Sequence, residues 1–241
     1  MATPTEITPQ LLLQAYRTGI FPMAENADAT ELHWYDPPQR TIFPLDTFHV
    51  PRRLRRTIRQ RPYSITGNHA FPAVIAACAQ EKSGTTREET WINPEIIALY
   101  TALHRQGSAH SIEAWQNDRL VGGLYGVHIG GAFFGESMFS TATDASKICL
   151  VYLVAILRRQ GFLLLDCQFK NPHLLQFGAQ TISRSAYHRQ LLTACAVQCA
   201  FPAFGGGGAE VGGEVGGVGI DGNGDADDFA LAFLQEITQT S

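Results

Sequence analysis

The sequence lacks most of the signals that would place it outside ordinary globular chemistry. No apolar run in its 241 residues exceeds the ten from Ile148 to Leu157, about half of what a membrane-spanning helix requires. No basic residue precedes Leu11-Leu12-Leu13, so a secretory leader is not expected. The five cysteines (Cys78, Cys149, Cys167, Cys195, Cys199) form no CxxC pair and leave an odd count. That excludes a disulfide framework and suits a reducing, cytoplasmic compartment. The eight histidines show neither HxxxH nor HxH spacing, so no metal centre is expected. Charged residues are scarce, 17% against 45% hydrophobic, a balance that folds rather than stays disordered.

Basic residues are missing altogether from residues 205–241, which hold seven acids (Glu210, Glu214, Asp221, Asp225, Asp227, Asp228, Glu236). The first 204 residues therefore set 18 basic against 15 acidic side chains, a mildly basic body compatible with a polyanionic partner. Eleven glycines among residues 205–224 predict a flexible linker without a core of its own. A short amphipathic stretch, Phe229 to Ile237, closes the chain.

The remaining chain divides into zones. Residues 1–42 read as a small N-terminal domain, with a helix from Thr8 to Thr18 that carries Leu11, Leu12, Ala15 and Tyr16 at helical spacing and stops at Gly19. Residues 43–110 look mainly helical, with helices after Pro51, near Phe71 to Gln80 and from Pro94 to Gln106. Residues 111–139 read as an antiparallel meander turning at Gln116-Asn117-Asp118 and Ile129-Gly130-Gly131. An almost wholly apolar helix, Asp144 to Gln160, and a buried-type strand, Phe162 to Gln168, complete a β-α-β crossover. The plan is α+β with a mixed sheet.

Several residues stand out against that plan. Arg52, Arg55, Arg56 and Arg59 share one helical face without interspersed acids. They form either a solvated face or a phosphate-binding one, since like charges at that spacing repel until a polyanion neutralises them. Asp166 and Gln168, two apart at the end of the last strand, would project together where open sheets place ligands, unless Asp166 only caps the next turn. Glu136 lies among apolar strand residues and needs hydrogen-bond partners or a ligand amine. Its segment, Gly135-Glu136-Ser137-Met138-Phe139, is not a GxSxG nucleophile elbow. The turn Ser140 to Lys147 has no glycine, which argues against the pyrophosphate loop of an acyl-CoA enzyme.

Together the segments resemble the bacterial leucyl/phenylalanyl-tRNA–protein transferases. The matching stretches are Tyr16-Arg17-Thr18-Gly19-Ile20-Phe21-Pro22, Trp34-Tyr35-Asp36-Pro37, Thr90-Trp91-Ile92 and His110 to Trp115. Gly135 to Ser140, Ala145-Ser146-Lys147 and Asp166-Cys167-Gln168 follow in the family's order. The resemblance implies a small N-terminal domain joined to an acetyltransferase-like (GNAT) catalytic domain over residues 43–204. It implies transfer of Leu or Phe, less readily Met, from tRNA to the α-amine of proteins beginning with Arg or Lys, tagging them for N-end rule degradation. No metal or nucleotide cofactor is implied. Independently of the resemblance, the short apolar runs argue against a membrane partner, and the lack of a sustained heptad or large apolar face makes a monomer the expectation.

Carried over by position, the resemblance makes Asp166 the group that accepts or orients the amine's proton, with Gln168 in relay or holding the ester carbonyl. Glu136 would help fix the donor and Gln168. Leu124, Phe133, Met138 and Leu153 would line the aminoacyl pocket, Trp34 or Tyr35 with Trp91 would stack near the terminal adenosine, and the arginine face would track tRNA phosphates. Phe133 and Glu136 are three apart, so a regular strand would put them on opposite faces, and an irregularity at Gly135 is predicted. The Gly-rich acidic tail matches nothing in the family pattern.

Overall fold

The computed structural model describes residues 7–27, 29, 31–80, 90–204 and 232–235. In chain order these form α1 (Pro9–Arg17), β1 (Phe21–Ala24), β2 (Leu32–Tyr35), β3 (Gln39–Phe43), α2 (Arg52–Arg59), β4 (Ser64–Gly67), α3 (Phe71–Ala79) and α4 (Pro94–Arg105). There follow β5 (Ala109–Gln116), β6 (Arg119–Ile129), β7 (Ala132–Ser140), α5 (Ala145–Arg159), β8 (Leu164–Asp166), α6 (Pro172–Leu175), β9 (Gln180–Ser183) and α7 (Arg184–Cys195). The Gly-rich acidic tail expected over residues 205–241 lies outside the described residues, apart from 232–235.

Local chemistry accounts for the element boundaries near the site. Thr8 caps α1, its hydroxyl oxygen accepting from the Leu11 N–H at 3.2 Å, Pro9 occupies the first helical position, and Gly19 ends the turn at φ +85°. The β5–β6 hairpin turns through Asn117 and Asp118 at φ +51° and +58°, the paired positive angles that match the twist of a tight hairpin. Helix α5, buried from Ile148 to Leu157, ends before Gly161 at φ +76°.

One seven-stranded sheet runs in the order β4-β5-β6-β7-β8-β3-β9, and β1 pairs with β2 in a separate hairpin. β5, β6 and β7 form the expected antiparallel meander, and β7 and β8 are parallel across the α5 crossover. Alternation along the strands fills two apolar layers. Phe43, Leu124, Phe133 and Leu165 join the cluster containing α5 and the apolar side of α2. Their neighbours Ile42, Tyr125, Phe134 and Leu164 join the cluster containing α1, α3, α4 and α7.

Three expectations need revision. The strand expected over Phe162 to Gln168 is only Leu164–Asp166 (β8), and Gln168 lies beyond it at φ +55°, so Asp166 and Gln168 do not share a strand face. Pairing with β7 ends at Phe134–Asp166, which is why the strand stops there. The zone over residues 43–110 is not only helical, because β4 lies within it and pairs with β5. The boundary placed after residue 42 falls inside β3, which pairs with β8 and β9 in the large sheet.

Residues 232–235 are helical, and Phe233 and Leu234 are buried in the α5-side cluster. The Phe233 ring lies 6.5 Å from Phe48, with the Arg158 guanidinium 5.3 Å from its centre. Residues 232–235 of the closing amphipathic stretch thus dock on the body of the protein, and the rest of that stretch lies outside the described residues.

A histidine pair joins the adjacent strands β5 and β6, His110 buried and His128 half-buried. His110 Nε2 and His128 Nδ1 are 3.0 Å apart, Asn68 bonds the other nitrogen of His110, and Phe201 stacks on its ring at 4.4 Å. Burial, then the neighbouring ring, pushes His110 well below the usual histidine range, and burial lowers His128 as well.

Candidate active site where the central strands part

Past the Phe134–Asp166 pair, β7 continues to Ser140 without its parallel partner. The chain leaving β8 turns away through Cys167, whose N–H donates to the Thr41 carbonyl at 2.8 Å. The β7–β8 pairing therefore ends midway along β7, and the two strands part beyond that point.

Asp166 is fully buried and accepts from four groups. Arg40 donates through Nε to Oδ1 at 2.9 Å and through Nη2 to Oδ2 at 2.6 Å. The Tyr187 hydroxyl donates to Oδ2 at 2.8 Å, and the Gln168 N–H donates to Oδ1 at 2.9 Å. Arg40, only 1% exposed, lies between the rings of Phe21 and Tyr187, 4.4 and 4.6 Å from their centres. Its Nη1 donates to the Gly19 carbonyl at 3.0 Å. Burial works to lower the guanidinium's pKa, but the Asp166 carboxylate outweighs it and holds the group above its ordinary range. Tyr187 is raised by burial and then by Asp166, so its hydroxyl stays a donor.

Gln168 has the opposite character. Its backbone is held at both ends, the N–H by Asp166 and the carbonyl by the Thr41 N–H at 3.0 Å. Its side-chain Nε2 is buried without a hydrogen-bond partner among the described residues. A buried amide with an unmet donor is costly unless something supplies the acceptor.

Glu136 is the extra residue of a bulge in β7, because Gly126 pairs with Gly135 and Tyr125 with Ser137. The irregularity expected at Gly135 is present. It does not bring Glu136 beside Phe133, however. Phe133 packs in the α5-side layer, whereas Glu136 accepts from Tyr16 at 2.7 Å and Tyr100 at 3.2 Å, both of the other layer. The two tyrosine hydroxyls also lie within hydrogen-bond distance of each other, so a proton on the Glu136 carboxyl completes the three contacts. Burial, then the Asp166 charge, pushes the Glu136 carboxyl up to about 8, against the two tyrosine hydrogen bonds that favour its ionised form. No direct hydrogen bond joins Glu136 to Gln168 among the described residues; the two carboxyls instead lie on the same side of the sheet.

The remaining expected residues separate into groups. Leu124, Phe133 and Leu153 are buried together in the α5-side cluster, with Met138 packed against them and paired with Leu124. Trp34 is 40% exposed on the β1–β2 hairpin. Tyr35 stacks on Phe21 at 5.8 Å and meets Phe169 edge-on at 6.1 Å, so this aromatic group adjoins Gln168. Trp91 is half-buried against the α4-side layer. On α2, Arg52, Arg56 and Arg59 are exposed and Arg55 is half-buried, while Leu54 and Ile58 anchor the helix to the core. No group of three His, Cys, Asp or Glu side chains suited to a metal ion occurs among the described residues. None of their helices is long and apolar enough to cross a membrane.

Sequence reasoning missed Arg40, Tyr187, Tyr16 and Tyr100. A signal existed for Arg40: it is the lone cation in a short strand otherwise made of Gln39, Thr41, Ile42 and Phe43, as Asp166 is the lone anion in another, and buried charges of opposite sign seek each other. Tyr16 and Tyr100 carry only the spacing of core aromatics.

Residues 42–192 match the family described as leucyl/phenylalanyl-tRNA protein transferase, and residues 5–38 match that family's N-terminal domain. A leucyl/phenylalanyl-tRNA–protein transferase of Paramagnetospirillum magneticum is 55% identical over 79% of this chain and 90% of its own length. One from Hyphomonas neptunium is 54% identical over 80% and 74%, and one from Cereibacter sphaeroides is 52% identical over 83% and 90%. Among solved structures, L-PGS from Bacillus licheniformis aligns with 69% of this chain and 53% of its own, at 12% identity and a TM-score of 0.36. The protein is a transferase. More narrowly, the chain belongs to the leucyl/phenylalanyl-tRNA–protein transferase family, whose donors are aminoacyl-tRNAs and whose acceptors are proteins.

Proposed function

We propose that the parted strands form the aminoacyl-transfer centre, which moves Leu or Phe, and less readily Met, onto the α-amine of proteins beginning with Arg or Lys. The product would enter N-end rule degradation. The observation that carries this reading is Gln168: a carboxamide with an unmet donor, fixed at the strand opening beside a saturated carboxylate. An aminoacyl ester supplies the missing acceptor through its carbonyl oxygen, which gains charge as the amine attacks; the new amide bond replaces the acyl bond to the tRNA ribose oxygen, and that oxygen leaves as a hydroxyl carrying the amine's proton. The ester is already activated, so no external energy source is required. The acceptor amine, with an ordinary pKa of about 7.7–8.0, is only about a tenth to a sixth deprotonated at neutrality, so a modest lowering on binding suffices to present it as a nucleophile. Positioning supplies most of the rate.

Within this reading Gln168 contacts the reacting carbonyl, Asp166 orients it, and Glu136 fixes the donor from the bulge. Leu124, Phe133, Met138 and Leu153 line the side-chain pocket, whose apolar walls accept Leu and Phe and discriminate weakly between them. Trp34, Tyr35 and Trp91 stack near the terminal adenosine, and Arg52, Arg55, Arg56 and Arg59 hold phosphates. The large sheet is acetyltransferase-like (GNAT) in plan, supported by the meander, the parallel crossover and the opening after it. The two-domain division expected from sequence is kept, with its boundary moved ahead of β3. The enzyme acts as a cytoplasmic monomer.

Purified protein incubated with radiolabelled Leu-tRNA and a peptide beginning with Arg is expected to label the peptide, and a peptide beginning with Glu is not. tRNA binding without label transfer to either peptide would leave a binding protein and remove the catalytic reading.

The arginine face has its own expected result. Replacing Arg52, Arg56 and Arg59 together by alanine weakens tRNA binding. It also reduces the slope of log affinity against log salt by up to about 3, since each phosphate contact contributes roughly 0.7–0.9. A salt slope identical to that of the unmodified protein would place the tRNA elsewhere.

A further inference from the structure

We infer that Arg40, together with Tyr187, is a positioning residue for the transfer reaction: it clamps the Asp166 carboxylate so that Gln168 is locked in a left-handed turn, with its unpartnered carboxamide held where β7 and β8 part. The inference rests on the transfer reading above and assigns the work of the Asp166 carboxylate within it.

The geometry carries the argument. A carboxylate has about four lone-pair sites. At Asp166 they meet two guanidinium nitrogens, one phenol and one backbone N–H, all within 3.1 Å. A residue so occupied has no lone pair left to take a proton from an incoming amine. It holds instead, and what it holds is Gln168. A glutamine at φ +55° adopts a conformation that costs a non-glycine residue of order 1 kcal/mol and persists only where neighbours over-determine it. Here the Gln168 N–H is fixed by Asp166 and its carbonyl by Thr41.

Arg40 sets the carboxylate in turn. Its forked guanidinium fixes both the position and the plane of the Asp166 oxygens, which a lysine ammonium cannot do. It is gripped by two aromatic rings and by the Gly19 carbonyl, so the segment after α1 is tied into the same clamp. The route runs from Gly19 and Phe21 through Arg40 and Asp166 to Gln168.

The test is a double-mutant cycle between Arg40 and Gln168, read by single-turnover transfer of Leu from Leu-tRNA to an Arg-initiated peptide. Gln168→Ala is expected to lower the transfer rate roughly 100-fold, the scale of losing one aligned donor at a reacting carbonyl. Arg40→Lys, which keeps the buried charge but not the fork, is expected to lower the rate by a similar factor with donor affinity nearly unchanged. Combining them is expected to cost no more than Gln168→Ala alone, because Arg40 acts through Gln168. Losses that multiply would show Arg40 serving general structure instead, and would overturn the inference.

A second measurement covers variants that fold poorly. Asp166→Asn leaves Arg40 buried without its counter-charge, whereas Arg40→Gln with Asp166→Asn leaves a neutral hydrogen-bonding pair. The double variant is expected to transfer faster than Asp166→Asn alone. A double variant no faster than Asp166→Asn would mean that relieving the uncompensated Arg40 charge does not restore Gln168, and would overturn the clamp. If the unmodified protein transfers label but the losses multiply, only the inference falls. If it transfers none, the functional reading fails and the inference with it.

Discussion

Replacing Gly126 by alanine is expected to cost about 3 kcal/mol and to lower the thermal midpoint by roughly 6–12 °C. Gly126 stands opposite Gly135, at the point where the β6–β7 register shifts. A methyl group built there would lie 2.3 Å from the Phe134 carbonyl oxygen and 2.4 Å from the Phe133 ring. Neither neighbour can retreat cheaply. The carbonyl belongs to the strand backbone, and the ring is fully buried and stacked near Phe201 at 5.6 Å. Relief would have to come from straightening the bulge, which would withdraw Glu136 from Tyr16 and Tyr100. Transfer activity should therefore fall along with stability. Gly161→Ala is the comparison: its φ is +76° but no atom lies within 4 Å of the added carbon, so backbone strain alone costs about 1 kcal/mol. Equal midpoints for the two variants would mean that the bulge absorbs the methyl without moving.

The second large effect concerns pH and Glu136. Its carboxyl is raised from 4.5 to about 8 in the folded protein. Between those values the folded state keeps a proton that the unfolded state has released. Stability contributed by the group is thus complete below about pH 4.5 and is lost as pH rises toward 8, at up to about 1.4 kcal/mol per pH unit. Glu136→Gln removes the titration while preserving shape and hydrogen bonding, since a tyrosine hydroxyl can either donate or accept. The variant is expected to gain on the order of a few kcal/mol relative to the unmodified protein between pH 5 and pH 8. Parallel stability curves across that range would show that the carboxyl is ionised throughout, with its charge met by other groups.

Much of this architecture was legible in the letters, and what was not has specific physical reasons. The β5–β7 meander announces itself through Asn117-Asp118 and Gly130-Gly131, and α5 through its unbroken apolar run and terminal glycine. β4 has only four residues, too few for alternation to declare itself, and β3 was hidden because it lies far along the chain from both of its partners. The turn at Gln168 has no sequence signature, since glycine rather than glutamine marks a left-handed backbone. Parity reasoning did foresee the β7 irregularity. It could not show which layer each side chain would enter, because that depends on the tyrosines brought in by α1 and α4. The carboxylate–amide pair was found from its position at a strand end, whereas its partner Arg40 stands 126 residues earlier in the chain.

The His110–His128 pair bears on the acid side of the same balance. Both rings have their pKa lowered in the folded state, first by burial, so the unfolded chain takes up protons more readily and acid works against the fold, as rising pH does through Glu136. Two unrelated solutions to sealing polar atoms inside one sheet thereby enclose a mildly acidic to neutral interval in which the enzyme is most robust.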